Sequence, residues 1–267
     1  MKIVSLNIRG LGGKEKFLSI KNYLFLCKPT FIFIQETMHT ADSAILYFRT
    51  VYSDWHLAVI DAEGQSGGLV ALWDPKRVNM RAYSFFGSIL LSSQWRRFKH
   101  HINFINMYAP YKDRLIFWRR LETCGILSIH NLLIVGDLNY VLHDSEIWGD
   151  KGRRDPLMED IKKILRNSGS SDISFIDNCP TWLNGRKGGE FIGKVLDRFI
   201  VSNSLRLHMG NMIANVEDLI VSDHRPITLM WDFEDRKCGI PFKFNRSWLT
   251  VDSFNSLVRD YMKRHKR

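Results

Sequence analysis

The 267-residue chain carries 38 Lys and Arg against 28 Asp and Glu, a formal charge of +10, with 45% hydrophobic and 25% charged residues. That balance supports a sizeable core, and no apolar run reaches the roughly 18–20 residues that cross a bilayer, so no membrane partner is expected. Cys27, Cys124, Cys179 and Cys238 lie far apart with no CxxC spacing, which argues against a structural zinc site and reads as reduced thiols of an intracellular protein.

From Met1 the chain goes directly into strand-like alternation at Lys2–Leu6, without the apolar stretch of a signal peptide. Gly10, Gly12 and Gly13 break that strand. Lys14–Cys27 places Phe17, Ile20, Leu24 and Cys27 on one helical face, and Pro29 ends it. Phe31–Gln35 has the length of a buried strand and stops at Glu36. Short strands are predicted at Trp55–Ile60, Gly68–Trp73, Val78–Tyr83 and Ile89–Ser92, separated by glycines and Asp74-Pro75 in a meander-like pattern. His101–Tyr108 is a further strand, and Asp113–Ile129 reads as a helix.

Leu132–Asn139 follows, an apolar run that ends at Gly136, Asp137 and Asn139. Pro156–Asn167 reads as a helix with proline in its first turn. Ile173–Asp177 and Thr181–Leu183 are short extended pieces, and Val195–Ser202, Met212–Val216 and Ile227–Trp231 are strands. Residues 1–232 therefore read as one α/β domain. Residues 233–267 form a basic extension: from Glu234 on there are nine Lys and Arg against four Asp and Glu. Its terminal helix, Val251–Arg267, ends in Lys263-Arg264-His265-Lys266-Arg267 with no stop signal, as if cut from something longer.

Several strands end on groups capable of chemistry: Asn7, Glu36, Tyr108, and Asp137 with Asn139. Asp197 lies in the Val195–Ser202 strand, and Asp223-His224 precede the last one. Each has a plainer alternative, such as a cap at Glu36, a rim aromatic at Tyr108, or an ion pair of Asp197 with Arg198 or Lys194. In this order, however, the motifs resemble the endonuclease/exonuclease/phosphatase superfamily, which includes exonuclease III, apurinic endonucleases and DNase I. The motifs are Ser-Leu-Asn-Ile-Arg-Gly (5–10), Gln-Glu-Thr (35–37), Asn-Met-Tyr-Ala-Pro (106–110), Gly-Asp-Leu-Asn (136–139), Leu-Asp-Arg (196–198) and Ser-Asp-His-Arg-Pro (222–226). Ser-Gly-Gly-Leu-Val-Ala-Leu-Trp-Asp (66–74), Thr-Trp-Leu-Asn (181–184) and Pro-Phe-Lys-Phe-Asn-Arg-Ser-Trp-Leu (241–249) look closer to the endonuclease domain of plant LINE-type (non-LTR) retrotransposon polyproteins. The last phrase resembles the link toward a reverse transcriptase, before which the chain is expected to be truncated.

The resemblance implies a DNase I-like four-layer sandwich, two mixed β-sheets flanked by helices, and a Mg²⁺-dependent phosphodiester hydrolase, with Mn²⁺ as a substitute. It assigns Glu36, Asn7 and Asp223 to the metal side and Asp137 to the base that activates water. Asn139, Tyr108 and His224 would orient or stabilise the phosphoryl group, with Asp197 holding the imidazole. Two departures stand out: Leu6 replaces a Trp common in the family, and Arg9 stands where several apurinic endonucleases carry a metal-side Asp. The retrotransposon-like branch accepts Arg there, so metal number and affinity are the open points.

The basic surplus predicts a polyanionic partner, DNA in this reading. Arg96, Arg97 and Lys99, Arg153 and Arg154, and Arg186 and Lys187 form basic clusters suited to phosphate contacts. Trp182 could stack on a base, with buried packing as its alternative. The expectation is a monomeric nuclease that nicks one DNA strand, nuclear by virtue of its substrate. The competing expectations are a phosphatase acting on a small substrate such as an inositol phosphate, and an inactive nucleic-acid-binding remnant.

Overall fold

In a computed structural model of the protein, residues 1–64, 66–94, 101–149, 154–208, 210–231 and 250–264 are described. Contacts divide the chain into two units, Met1–Phe233 and Glu234–Arg267. The second contains a helix at Asp252–Arg264 that exposes Leu257 and Val258.

The first unit opens with β1 (Lys2–Asn7), α1 (Lys14–Cys27), β2 (Phe31–Gln35), α2 (Ala41–Arg49), β3 (His56–Glu63) and β4 (Ser66–Trp73). It continues with β5 (Arg81–Phe85), β6 (Ser88–Gln94), β7 (His101–Tyr108), α3 (Arg114–Thr123), β8 (Leu132–Asp137), β9 (Ile147–Trp148), α4 (Met158–Asn167) and β10 (Ser170–Asp172). Then come β11 (Trp182–Leu183), β12 (Gly193–Lys194), β13 (Asp197–Ser202), α5 (Asn203–His208), β14 (Met212–Val216) and β15 (Ile227–Trp231); the helix of the second unit is α6.

Two six-stranded sheets result, ordered β14-β15-β1-β2-β4-β3 and β10-β13-β8-β7-β6-β5, with a small third sheet β11-β12-β9. Each large sheet has one parallel pair at its centre, β1 with β2 and β7 with β8, flanked by antiparallel neighbours. Period-two alternation explains how the layers stack. Ile3, Phe31, Phe33, Phe104, Leu133, Val135, Phe199 and Leu229 point between the sheets into one core. Val4, Leu6, Ile32 and Ile34 point the other way, onto Ile20 and Leu24 of α1 and Ala44 and Phe48 of α2. Ile105, Ile134 and Ile200 likewise meet Trp118 and Leu121 of α3 and Ile161, Ile164 and Leu165 of α4. Helix, sheet, sheet, helix: the four-layer α/β sandwich with mixed sheets is the fold observed.

A polar seam crosses the apolar middle. Gln35 of β2 donates to Asn106 Oδ1 of β7 at 2.7 Å and to Ser5 Oγ at 3.0 Å, and Asn106 donates to the carbonyls of Ile34 and Val70. Every group in it is buried, so the seam fixes the two sheets in one register at the end where Glu36 leaves β2.

Some expected elements differ. The helix predicted over Asp113–Ile129 stops at Thr123, and Ile126–Ser128 is a separate 3-10 turn, because Gly125 turns the chain at φ 77°. The helix expected from Pro156 starts at Met158, with Pro156 in the preceding turn. Helix α2 was not expected; Thr40 caps it by accepting from Ser43 N. The strand expected at Val78–Tyr83 runs from Arg81 to Phe85, while Val78 and Met80 precede it as core residues.

Candidate active site

The ends of β1, β2, β7 and β8 and the start of β13 meet at one edge of the sandwich. Register makes this unavoidable: Asn7 pairs with Gln35, Tyr108 with Asp137, and Asp197 with Asp137. Three non-glycine residues there, Arg9 at φ 47°, Glu36 at φ 52° and Asn139 at φ 51°, occupy the left-handed region, where side chains leave the strand direction sharply. Gly136 is required for the same reason. It sits at φ 139°, and a Cβ on it would lie 2.0 Å from the Met107 carbonyl oxygen.

At the centre is Asn7, fully buried. Its amide donates to Glu36 Oε1 at 3.1 Å and to Asp137 Oδ2 at 2.9 Å, so one side chain ties an acid of the first sheet to an acid of the second. Asp137 also accepts from Asn139 N at 3.2 Å. His224 Nδ1 lies 2.9 Å from Asp197 Oδ2, and its Nε2 lies 3.8 Å from Asp137 Oδ2. That Nε2 has no hydrogen-bond partner among the described residues although it is buried. Asp197 is held in turn by Thr181, whose hydroxyl accepts from the N–H groups of Leu196 and Asp197.

Burial, reinforced by the Asp197 charge, pushes the Asp137 carboxyl up to about 7, against the lowering pull of His224, Asn7 and Asn139. Burial alone would lower the His224 imidazole, but Asp197, then Asp137 and Asp223, outweigh it and raise the group to about 9. An imidazolium therefore stands beside a carboxyl that can exchange a proton near neutrality, the poise wanted of an acid and a base in one site. Burial and then the neighbouring Glu36 carboxylate push the Tyr108 phenol above its ordinary range, so it remains a hydrogen-bond donor.

On the other side of Asn7, the Arg9 guanidinium spans two acids, 3.2 Å from Glu36 Oε2 and 3.2 Å from Asp223 Oδ1. Trp182 Nε1 donates to Asp223 Oδ2 at 2.9 Å. Burial works against the Asp223 carboxylate, yet His224, Trp182 and Arg9 together hold it below its ordinary value.

Two groups of donors are candidates for a divalent cation. Asp137, Asp197 and His224 present ligand atoms within 4.8 Å of one another. In that trio Nδ1 is engaged with Asp197 and the imidazole is cationic, so a metal would have to displace its proton. Glu36 and Asp223 offer oxygens only, the chemistry that Mg²⁺ prefers, whereas Asn7 turns its Nδ2 donor toward Glu36 and its Oδ1 accepts from Arg9 N. The Glu36 side fits a hard cation; the His224 side fits acid–base work.

All eight residues expected at this site are brought together. Asn139 contributes in an unexpected way: its backbone holds Asp137, while its side-chain amide donates to the Ala109 carbonyl at 2.8 Å. Asp197 pairs with neither Arg198 nor Lys194. Arg198 points to the opposite face, fully buried, between Glu146 and Asp172. The indole N–H of Trp182 is spent on Asp223, so the residue braces the site from the small third sheet. Arg154 pairs with Glu159 and Asp144 on the surface, and Arg186 with Glu190. Lys187 is exposed. Arg96, Arg97, Lys99 and Arg153 lie outside the described residues.

Sequence reading missed three supports. Thr181 stands in a quoted motif without an assigned role. Arg114, which donates to the Asn139 carbonyl at 2.8 Å and pairs with Asp155 at 2.7 Å, was visible only as the start of a predicted helix. Gln35 and Asn106 carried a signal that went unused, since polar side chains inside apolar strand runs are seldom tolerated without partners.

Buried carboxylates and an imidazole thus stand together at the rim of a two-sheet sandwich. The sequence model of the Endonuclease/Exonuclease/phosphatase family matches residues 4–224, and the chain belongs to that family of hydrolytic nucleases and phosphatases. Its members generally depend on divalent metals. Similar solved structures include the endonuclease domain of TRAS1, a telomere-specific non-LTR retrotransposon, at 15% identity and a TM-score of 0.64 over 87% of this chain and 99% of that one. An AP endonuclease from Archaeoglobus fulgidus is 17% identical, with a TM-score of 0.66 over 87% of this chain and 99% of that one. The Xenopus laevis APE2 catalytic domain is 17% identical, with a TM-score of 0.67 over 86% of this chain and 91% of that one. No curated protein matches the sequence. Among the described residues no helix is long and apolar enough to cross a membrane.

Proposed function

We propose that the chain is a Mg²⁺-dependent DNA endonuclease of retrotransposon origin that nicks one strand. The observation that carries this is the Asn7 amide, shared between Glu36 at 3.1 Å and Asp137 at 2.9 Å. It keeps a metal-side carboxylate and a base-side carboxylate at fixed separation across one scissile phosphate. Glu36, with Asp223, would hold the cation, which supplies a Lewis acid for a phosphoryl oxygen and offsets the approach of two anions.

The chain's own residues do the rest. Asp137 accepts a proton from the attacking water as its oxygen bonds phosphorus in line with the departing ester oxygen, and that oxygen leaves with the P–O bonding pair and takes a proton from solvent. The free N–H of His224 Nε2 faces Asp137 and can donate to a phosphoryl oxygen as charge grows there. Asp197 on Nδ1 keeps that imidazole charged and fixed in rotation. The Tyr108 hydroxyl adds a second donor.

DNA as substrate rests on the charge of +10, the basic clusters, and relatives named as AP and retrotransposon endonucleases. Purified protein with supercoiled plasmid tests the reading. Nicking is expected with Mg²⁺ and not with EDTA, and Asp137→Asn or His224→Ala should remove it. Mg²⁺-dependent nicking that survives both substitutions would overturn the site. Phosphate release from small esters without nicking would overturn the substrate, and tight, salt-sensitive DNA binding without cleavage would mark an inactive binder.

A further inference from the structure

Arg9 stands on the acidic side of the site, with Lys16 as a second cation near Asp223. It is the residue two positions past the strand end, held at φ 47°, a conformation an arginine adopts only when its surroundings impose it. They do so here through four contacts of the backbone around it. Arg9 N donates to Asn7 Oδ1 at 3.1 Å, Gly10 N donates to Glu36 O at 2.7 Å, Leu11 N donates to Thr37 O at 3.1 Å, and Lys16 Nζ donates to Arg9 O at 3.1 Å. The strained turn has one evident product: it lays the guanidinium across the mouth of the site, between Glu36 and Asp223.

We propose that Arg9 is a built-in cation of the metal side, occupying the Glu36 and Asp223 oxygens in the metal-free protein and giving way when a divalent ion binds. This rests on Glu36 being the metal carboxylate. Both Glu36 oxygens are engaged as they stand: Oε1 accepts from Asn7 and Oε2 from Arg9, with the Tyr108 hydroxyl bonded to the same carboxylate. The Glu36 side chain is 2% exposed and cannot move to new partners, whereas that of Arg9 is 41% exposed and can swing into solvent. A divalent ion on Glu36 Oε2 would lie a few ångströms from the Arg9 guanidinium, and the repulsion between the two cations drives out Arg9, the exposed member of the pair. Without Arg9, two carboxylates would face each other across the empty site with nothing between them. With it, one of the two negative charges is offset, and the divalent ion must compete for its place.

The experiment is Mn²⁺ binding to the full chain, followed by the loss of the free-Mn²⁺ electron paramagnetic resonance signal, in wild type, Arg9→Gln, Arg9→Lys and Glu36→Gln. Removing one like charge a few ångströms from a divalent ion in a half-exposed site should tighten binding by about tenfold or more. Arg9→Gln is therefore expected to bind Mn²⁺ at least that much more tightly, Arg9→Lys less so, and added methylguanidinium should weaken Mn²⁺ binding to Arg9→Gln but not to wild type. Equal or weaker binding by Arg9→Gln, with binding lost in Glu36→Gln, would overturn the built-in cation while leaving Glu36 as the metal carboxylate. Undiminished binding by Glu36→Gln would instead overturn the underlying assignment.

A wild-type measurement covers the case in which Arg9→Gln fails to fold. The Arg9 Nε–H resonance, held by Asp223 in the metal-free protein, should shift and lose its exchange protection on titration with Mg²⁺. An unchanged resonance at saturating Mg²⁺ would overturn the proposal.

Discussion

Replacing Gly136 by alanine tests whether the site is set by backbone approach between β7 and β8. Two effects add. The φ of 139° lies outside the basins open to L-residues, which costs about 1–3 kcal/mol. The new Cβ would lie 2.0 Å from Met107 O and 3.1 Å from Met107 C, where ordinary contact begins at 3.4 Å. Both obstacles are backbone of the neighbouring strand, so no side-chain rotation relieves them. The strands must part by more than an ångström where Tyr108 pairs with Asp137, at an overpacking penalty of roughly 1–3 kcal/mol and a weakened ladder bond at about 1 kcal/mol. The expected loss is about 3–7 kcal/mol, or a Tm lowered by roughly 6–28 °C in a domain of this size. Gly125→Ala is the control, because Gly125 has a positive φ of 77° and open space around its Cβ position. It should lose only about 1–2 kcal/mol. Thermal and urea unfolding of the two variants read the difference. Equal losses would refute the claim that close approach of β7, rather than conformational freedom, requires the glycine.

Arg198→Met should destabilise by about 3–5 kcal/mol, because it strands Glu146 and Asp172 without their cation; adding Glu146→Gln and Asp172→Asn should recover most of the loss in urea unfolding. Asp197→Asn should slow nicking by about a hundredfold or more and move the alkaline limb of the rate to lower pH, since His224 loses the charge that raises it; an unshifted limb would remove Asp197 from that role. His224 is raised from 6.5 to about 9 on folding, so its contribution is fully present below pH 6.5 and is lost as pH rises through 9. Unfolding free energy should therefore fall by a few kcal/mol over that interval, and His224→Gln should flatten the curve. Thr181→Val should leave the N–H groups of Leu196 and Asp197 unsatisfied and cost about 1–3 kcal/mol, read as a lower Tm, with no loss expected from Thr50→Val on the surface.

The sequence was most legible where one residue had to serve a single environment. Runs such as Phe31–Gln35 and Leu132–Asp137 are buried on both faces, so they announce central strands, and the polar residue that follows each marks the edge of the sandwich. Elements whose form depends on a partner were harder to read. Helix α2 buries only Ala44 and Phe48, too narrow a stripe to stand out, and α3 ends on a glycine whose φ the sequence does not reveal. Asp197 and Arg198 illustrate the limit well. Adjacent opposite charges suggest a pair, but in a strand neighbours face opposite sides, and the true partners, His224, Glu146 and Asp172, are 26 or more positions away. Arg9 was visible as a departure from its relatives, while its bridge to Glu36 and Asp223 required the turn that the coordinates reveal.

The first sheet is closed by residues from opposite ends of the unit: the Met1 ammonium donates to the Trp231 carbonyl across 230 positions, and Trp231 N donates back to Met1 O. During synthesis, β1 and β2 therefore leave the ribosome with one flank of β1 bare, and β15 arrives only after the rest of the unit. At roughly 5–20 residues per second the wait is on the order of ten seconds to most of a minute. His224 and Asp223 ride on the same late segment, so a nascent chain has neither its imidazole nor its closing strand until that moment. A chain of this topology carries an incomplete site while it is being made, and the bare flank of β1 is the place where an interrupted chain would find a wrong partner.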